Sequence, residues 1–232
     1  MLKSRVEIKA IARERYRENR GTPILILLVF MIIALFYSGL TTISSLLLLF
    51  PLMWLATIIF WPVIYVMAVN IEGEFVKLYQ GQPASVGAIF SGFSINFWRK
   101  FGGMLWMALW VSLWTYLLII PGIVKAIAYS MAPFILATHP DVTAREALKL
   151  SMRITAGHKG KLFVMYLSFI GWQLLSMLTF GILGIVFVNP YYYLTCAGYF
   201  VELRDHAIAN GTIRPEELGM PAIEEGVNGD YF

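Results

Sequence analysis

The chain has 232 residues, of which 59% are hydrophobic and only 14% carry a charge, with a formal net charge of +4. About a quarter of the residues in soluble domains are charged, so this composition argues against a soluble globular protein. No polar segment is long enough to fold by itself, which predicts a single membrane domain with short arms and loops.

The first twenty residues form a basic arm. They contain seven Lys or Arg against three Glu, with a thin apolar stripe at Ile8, Ile11 and Ala12. A short basic amphipathic helix is typical of a segment that lies at the headgroup surface of a membrane. Residues 1–20 are therefore predicted to be an arm on the cytoplasmic surface.

A charge-free run follows the arm. Between Arg20 and Glu72, 51 residues include no Asp, Glu, Lys, Arg or His. A hydrocarbon layer about 30 Å thick needs roughly 20 apolar residues for each helical crossing, so this run suffices for two crossings and a turn. The small polar residues near position 40 place the turn, which predicts helices over 22–41 and 51–71.

Two further apolar stretches, each interrupted by Pro or Gly, predict four more helices, over 102–120, 123–138, 162–180 and 184–203. The fold class is therefore all-α, a polytopic membrane helix bundle with six crossings in a membrane domain of residues 21–203. The remaining segment, 204–232, carries two basic and six acidic side chains with four Gly. That composition predicts a disordered, acidic cytoplasmic tail.

The polar stretches 72–100 and 139–161 each include a predicted interfacial helix. In the second stretch, Thr143 and Glu146 have the spacing of a capping box. Lys and Arg number three and five in these stretches, seven in the arm and two in the tail, whereas the turns between them have only Lys125 nearby. The positive-inside bias then places both termini and both polar stretches in the cytoplasm. Six crossings satisfy this arrangement, and five or seven do not.

Several segments resemble a known family. They are Asn19-Arg20-Gly21, Ile120-Pro121-Gly122-Ile123, Ala128 to Leu136, Glu146-Ala147-Leu148 to Ser151, Gly157-His158-Lys159, Leu167 to Trp172, and Pro190-Tyr191. The pattern is similar to small multi-pass bacterial membrane proteins, common in Gram-positive species, grouped as domain of unknown function 975. It covers nearly the whole chain and departs at His139, where Asp is usual, and at Gly160, where a bulky residue is usual. The resemblance implies a bacterial plasma-membrane protein and supplies no activity or catalytic residue.

Three polar residues of the predicted helices form a candidate intramembrane site. Lys125 is the one charge within an apolar segment, and ionisable groups in membranes are functional candidates. A lysine near a helix end can instead extend its amine to the headgroups. Gln173 lies in the middle of the fifth predicted helix, with Ser176 one turn later, and hydrogen bonding between helices is the competing explanation for this pair.

The second polar stretch provides a cluster of cations. These candidate contacts to anionic lipid headgroups are Arg145, Lys149, Arg153, Lys159 and Lys161. Each cation near an anionic membrane surface contributes about 1 kcal/mol to binding. Membrane lipids are therefore the predicted partners, with a protein partner or a second copy of the chain as a further possibility.

No sequence signature of a hydrolase, metal site, phosphate-binding loop or dinucleotide fold occurs. The sequence thus predicts no enzyme activity, no metal, no cofactor and no nucleic-acid binding. The expected role is a non-enzymatic protein that organises lipids, partners or envelope processes. A small transporter, channel or export or immunity factor is the alternative. An intramembrane enzyme is disfavoured because the predicted helices contain no Asp, Glu or His apart from Glu202 at the very end of the last one.

Overall fold

The computed structural model describes residues 2–93 and 96–221, and these fold into helices with no strand among them. The α-helices are α1 (Arg5–Glu18), α2 (Gly21–Leu46), α3 (Phe50–Tyr79), α4 (Phe97–Leu117), α5 (Ile119–Tyr129), α6 (Ala132–Thr138), α7 (Ala144–Ile154), α8 (Lys159–Leu178) and α9 (Asn189–Ala209). Short 3-10 helices cover Val86–Phe93 and Pro215–Leu218, and a π-helical turn, Gly184–Val188, leads into α9. The predicted all-α fold class is confirmed.

The outer surface of the bundle is apolar. Large side chains on α2 and α3 face outward, among them Leu35, Phe36 and Ile58, which are 61%, 64% and 67% exposed. Four segments are long and apolar enough to cross a membrane: Gly21–Leu46, Phe50–Tyr79, Ile119–Thr138 and Lys159–Leu178. Exposed apolar surface on this scale is typical of helices that face lipid, and it indicates a membrane-embedded protein.

The predicted number of six crossings is not reached by these four segments. Within the described part of the chain, α4 and α9 do not qualify as spans. Helix α4 carries Arg99 and Lys100 in its first turn, and α9 carries Glu202, Arg204 and Asp205 in its last turns. These charges lower the mean hydropathy of both helices, so six crossings stay a prediction.

Three helices extend beyond their predicted C-terminal ends, the first being α2, which continues from the predicted end at 41 to Leu46. Helix α3 continues to Tyr79, so Glu72 and Glu74 lie within it, because the first charge marks the edge of the apolar run and not the end of the hydrogen-bonded helix. Helix α9 likewise continues to Ala209, and the 3-10 helix Pro215–Leu218 follows. The segment predicted to be disordered from residue 204 is therefore helical in these two parts, while residues 222–232 lie outside the described ranges.

Helix α1 has the capping box Ser4–Glu7: the Ser4 hydroxyl accepts from the Glu7 amide at 3.3 Å, and the Glu7 carboxylate accepts from the Ser4 amide at 2.6 Å. The predicted apolar stripe is present, but Ile8 and Ala12 are fully buried within the protein. They pack along α9. The arm therefore uses its apolar face for the protein core, and only its basic face is left for the membrane surface.

The protein core lies where α3 passes between α6 and α9. Gly73 of α3 faces Ala137 of α6 so closely that an added Cβ would lie 3.0 Å from the Ala137 Cβ. On the other side, a Cβ on Gly198 of α9 would lie 2.5 Å from the Tyr79 ring and 2.9 Å from Ile8 Cγ2. Glycine at these two positions allows the three helices to approach, which joins the ends of α3, α6 and α9 that carry the polar residues.

We expect the Gly198→Ala substitution to lower the free energy of unfolding by about 1–3 kcal/mol, because the new methyl group overpacks the contact with Tyr79 and Ile8. The measurement is denaturant or thermal unfolding of the purified protein in detergent micelles. Gly171→Ala is the matched control, since Gly171 also lies within a long helix but has open space around it. Equal stability of the Gly198→Ala protein and the unsubstituted protein would contradict the close approach.

Candidate functional site

The five predicted headgroup cations lie on α7 and at the start of α8. The guanidinium of Arg145 stacks over the Trp106 ring of α4, 5.6 Å from the ring centroid. Lys149 lines a surface cleft together with Asp141, Glu146 and Glu216, so the charge around it is mixed. Lys159 and Lys161 lie in the first turn of α8, and Lys161 is exposed.

Arg153 differs from the other four cations because a carboxylate already neutralises it. Its two Nη atoms donate to the two oxygens of Glu217 at 2.5 and 3.0 Å, and Nη2 also donates to the Thr212 carbonyl. The hydrogen bonds from Arg153 hold the pKa of Glu217 below its usual range. This pair attaches the 3-10 helix Pro215–Leu218 to α7, and a headgroup would have to compete with it for Arg153.

The candidate intramembrane residues do not form one site. Lys125 Nζ lies 5.7 Å from the ring centroid of Trp114 and 5.6 Å from that of Tyr129, two cation–π contacts. The Gln173 amide donates to Asn189 Oδ1 at 3.2 Å, which joins α8 to α9 as interhelical hydrogen bonding predicts. Ser176 is buried against Gly184 at the π-helical turn. No hydrogen bond or ion pair links Lys125 to either of these described residues.

A polar cavity of about 400 Å³ lies where α3, α4, α6 and α9 meet. We use "polar cavity" for this space, whose polar lining includes Asn70, Glu74, Lys77, Lys100, His139 and Arg204. Asn70 is buried, donates its amide to the Ile89 carbonyl at 2.9 Å and accepts a short hydrogen bond from Lys100 Nζ. The 3-10 helix Val86–Phe93 and the first turn of α4 are thereby both attached to α3.

Glu74 is the carboxylate of the cavity lining, and both of its oxygens are occupied. Oε1 accepts from Lys77 Nζ at 2.6 Å, and Oε2 accepts from the Ser85 amide at 2.9 Å. The side chain is only 4% exposed. A buried carboxylate needs such partners to offset its lost hydration, and here they also fix the loop after α3 against the helix.

Arg99 lies next to the cavity and binds backbone oxygens only. Its Nη atoms donate to the carbonyls of Leu136 at 2.7 Å, Val142 at 2.7 Å and His139 at 3.2 Å. These carbonyls belong to the end of α6 and the turn after it, where the helix dipole favours a cation. The guanidinium therefore caps α6 and leaves its positive charge without a carboxylate in direct contact.

His139 ends α6 and lines the cavity. It is 6% exposed, and its Nε2 atom has no hydrogen-bond partner. Burial, together with the nearby charge of Arg204, lowers the pKa of His139 to about 4. The imidazole is consequently neutral at pH 7 and lies in a region of positive potential.

Glu72 is a functional candidate that sequence reasoning missed. It lies within α3, in a candidate membrane span, and its Oε2 atom is buried without a hydrogen-bond partner. Tyr166, Tyr193 and Cys196 lie within electrostatic range of its carboxyl group. In the sequence, Glu72 marks only the end of the charge-free run, which predicts a position outside the helix.

The polar cavity was also missed from the sequence, although one signal was present. Asn70 is the single amide side chain in the charge-free run of 51 residues. A buried amide needs partners for its donor and acceptor, so Asn70 indicated a polar contact near the end of α3. The sequence could not show that these partners are Lys100 and the Ile89 carbonyl.

Residues 115–207 match the model of the family described as Protein of unknown function (DUF975). The matched segment is therefore similar to this family. It runs from the end of α4 through most of α9, so the DUF975 segment includes His139 and Arg204, whereas Asn70, Glu74 and Lys100 precede it. Among the curated proteins and the solved structures compared with the chain, none matches it.

The buried imidazole of His139 predicts that the free energy of unfolding depends on pH. Since the pKa of His139 is about 4 in the folded protein and about 6.5 in the unfolded chain, the unfolded chain binds more protons between these values. The free energy of unfolding should therefore decrease as the pH falls from about 6.5 to 4. We expect His139→Asn to reduce this dependence, measured by unfolding in detergent across that range. His206→Asn is the control, and an unchanged slope in the His139→Asn protein would contradict the buried neutral imidazole.

Proposed function

We propose that this chain is a non-enzymatic, multi-pass protein of the bacterial plasma membrane that holds anionic lipid headgroups at the basic face of α7 and α8. The observation that carries the proposal is the contact between Arg145 and Trp106. Trp106 is 39% exposed on α4, beside outward-facing apolar side chains, and it has a cation stacked on its ring. A tryptophan next to a basic residue at the edge of an apolar surface is typical of the headgroup layer.

The proposed orientation has both termini in the cytoplasm. A contact between the arm and α9 supports it, because Lys3 Nζ lies 2.6 Å from Glu202 Oε1. The start of the chain and the end of α9 are thus at the same end of the bundle, which requires an even number of crossings. Four crossings and six both meet this requirement, and six is the number that we propose from the lengths of the apolar runs.

Replacing the four cations without a carboxylate pair by Gln, at Arg145, Lys149, Lys159 and Lys161, should weaken binding to phosphatidylglycerol at least tenfold. Each cation contributes about 1 kcal/mol at an anionic surface, so the four together exceed the 1.4 kcal/mol of a tenfold change. The measurement is the amount of lipid retained by the purified protein, by mass spectrometry, after exchange into mixed phosphatidylglycerol and phosphatidylcholine micelles.

The matched control exchanges Lys and Arg at the same four positions, which keeps every charge. This protein should retain phosphatidylglycerol as the unsubstituted protein does. If the Gln protein keeps its preference for phosphatidylglycerol, the basic face of α7 and α8 is not a headgroup site and the proposal is wrong.

A small transporter, channel or export or immunity factor is the second candidate, and Glu72 favours it. An ionisable side chain in a membrane span is costly and usually functional, often in proton transfer. If the chain conducts protons, Glu72→Gln should reduce proton flux in liposomes to the level of empty vesicles, because an amide cannot exchange the proton. Glu14→Gln on the exposed face of α1 is the control. Flux that is equal in empty vesicles and in vesicles with the unsubstituted protein would rule out this candidate for protons.

A further inference from the structure

The polar cavity holds more positive than negative charge. Lys77 is paired with Glu74 at 2.6 Å, and Arg204 is paired with Asp205 at 2.8 Å. Lys100 has only the neutral Asn70 amide as its hydrogen-bond partner among the described residues. Arg99, next in sequence to Lys100, likewise has only carbonyl partners. Lys100 thus lines the cavity with Arg99 next to it in the chain, and no carboxylate of the described residues is bonded to either.

These two cations are also partly removed from water. Burial lowers the pKa of Lys100, and the neighbouring positive charge of Arg99 adds to this effect. Burial likewise lowers the pKa of Arg99, and the carboxylate of Asp141, which is near but not bonded to it, opposes this effect only in part. Like charges that share a partly desolvated site raise the free energy of the folded protein unless an anion compensates them. A bound anion would relieve both the repulsion and the lost hydration.

His139 provides an independent sign that the cavity takes a ligand. The side chain is more than nine-tenths buried and lines the cavity, and its Nε2 has no partner. Buried polar atoms in folded proteins almost always have a partner, in the protein or in something bound to it. The imidazole already hydrogen-bonds the backbone of Leu218, so its Nε2 donates to an anionic oxygen when the ring is protonated, and an anion beside it favours that protonation.

The cavity has room for a ligand and lies beside a second cavity. Its volume of about 400 Å³ is in the range of small-molecule sites, about 300–1,000 Å³. It adjoins a second cavity of about 810 Å³ between α1, α3 and α9, since Gln80, Gln82 and Arg204 line both.

We propose that the polar cavity binds a phosphate group, with Lys100 and Arg204 as its cationic partners and His139 as a hydrogen-bond partner. Phosphate suits this lining because its several oxygens can accept from a lysine, a guanidinium and an imidazole together, and charge-assisted bonds to phosphate are about twice as strong as neutral ones. The phosphate belongs either to a lipid headgroup or to a soluble phosphate compound. This site is separate from the exposed cations of α7 and α8, so either proposal can fail while the other stands.

The test compares the unsubstituted full chain with Lys100→Gln, which removes the charge and keeps a group able to hydrogen-bond Asn70. Two probes are used: radiolabelled inorganic phosphate added to the delipidated protein in neutral detergent, and phosphatidylglycerol retained through extensive detergent washing. We expect at least one probe to bind, with tenfold or greater loss in Lys100→Gln. Lys149→Gln is the matched control, since it removes an exposed cation elsewhere, and it should keep this binding.

Binding of inorganic phosphate that depends on Lys100 indicates a soluble ligand, whereas retention of phosphatidylglycerol alone indicates a lipid headgroup. The inference is overturned if neither probe binds, or if Lys100→Gln and Lys149→Gln behave alike. Thermal unfolding without ligand checks that Lys100→Gln is folded. If it is not, Arg204→Gln replaces it and should give the same tenfold loss. The four Gln substitutions on α7 and α8 should remove only lipid that exchanges readily, so that protein should still bind the inorganic phosphate or the phosphatidylglycerol that survives extensive washing.

Discussion

The close approach of α3 to α6 and α9 is the constraint on which the rest of the structure depends. It is possible because Gly73 and Gly198 have no side chain where the helices touch, and Tyr79, Ile8 and Ala137 fill the space that side chains would take. Phe75 packs on Tyr193, and Phe134 on Phe200, with ring centroids 5.2 and 5.3 Å apart. Helices in lipid gain little from the hydrophobic effect between them, so dense packing of this kind and hydrogen bonds must hold them together.

The same contact gathers the charged groups at one end of the bundle. Once α3, α6 and α9 are fixed, Asn70, Glu74, His139 and Arg204 share one cavity, and α4 brings Arg99 and Lys100 beside them. Neutral dipoles compensate much of the positive charge: the carbonyls around α6 hold Arg99, and the Asn70 amide holds Lys100. Dipoles stabilise a buried cation less than a carboxylate does, so burial and then the positive charges of Arg204 and Arg99 lower the pKa of His139.

The helix bundle therefore has an apolar part, which faces lipid, and a polar end. The parts of α2, α3 and α8 far from this polar end expose apolar side chains to lipid, and nearly all ionisable groups lie at the other end. Glu72 and Lys125 are exceptions, since Oε2 of Glu72 is buried in one candidate span and Lys125 lies in another. The headgroup contacts that we propose on α7 and α8 lie between the apolar part and the polar end of the bundle. The polar cavity lies within the polar end.

The sequence by itself determined the membrane character, the all-α class and the positions of most helices, because a charge-free run of 51 residues and a capping box at Thr143 are local patterns with local physical causes. It also identified Arg145, Lys149, Lys159 and Lys161 as cations of one polar stretch. Only the tertiary structure decided that Arg153 binds Glu217, that the apolar stripe of the arm packs on α9, and that Glu72 lies inside a helix. The polar cavity is likewise a feature that only the tertiary structure decided, because its residues Asn70, Lys100, His139 and Arg204 are far apart in the chain. Their meeting depends on how closely whole helices pack, and neither the period nor the composition of a single segment contains that information.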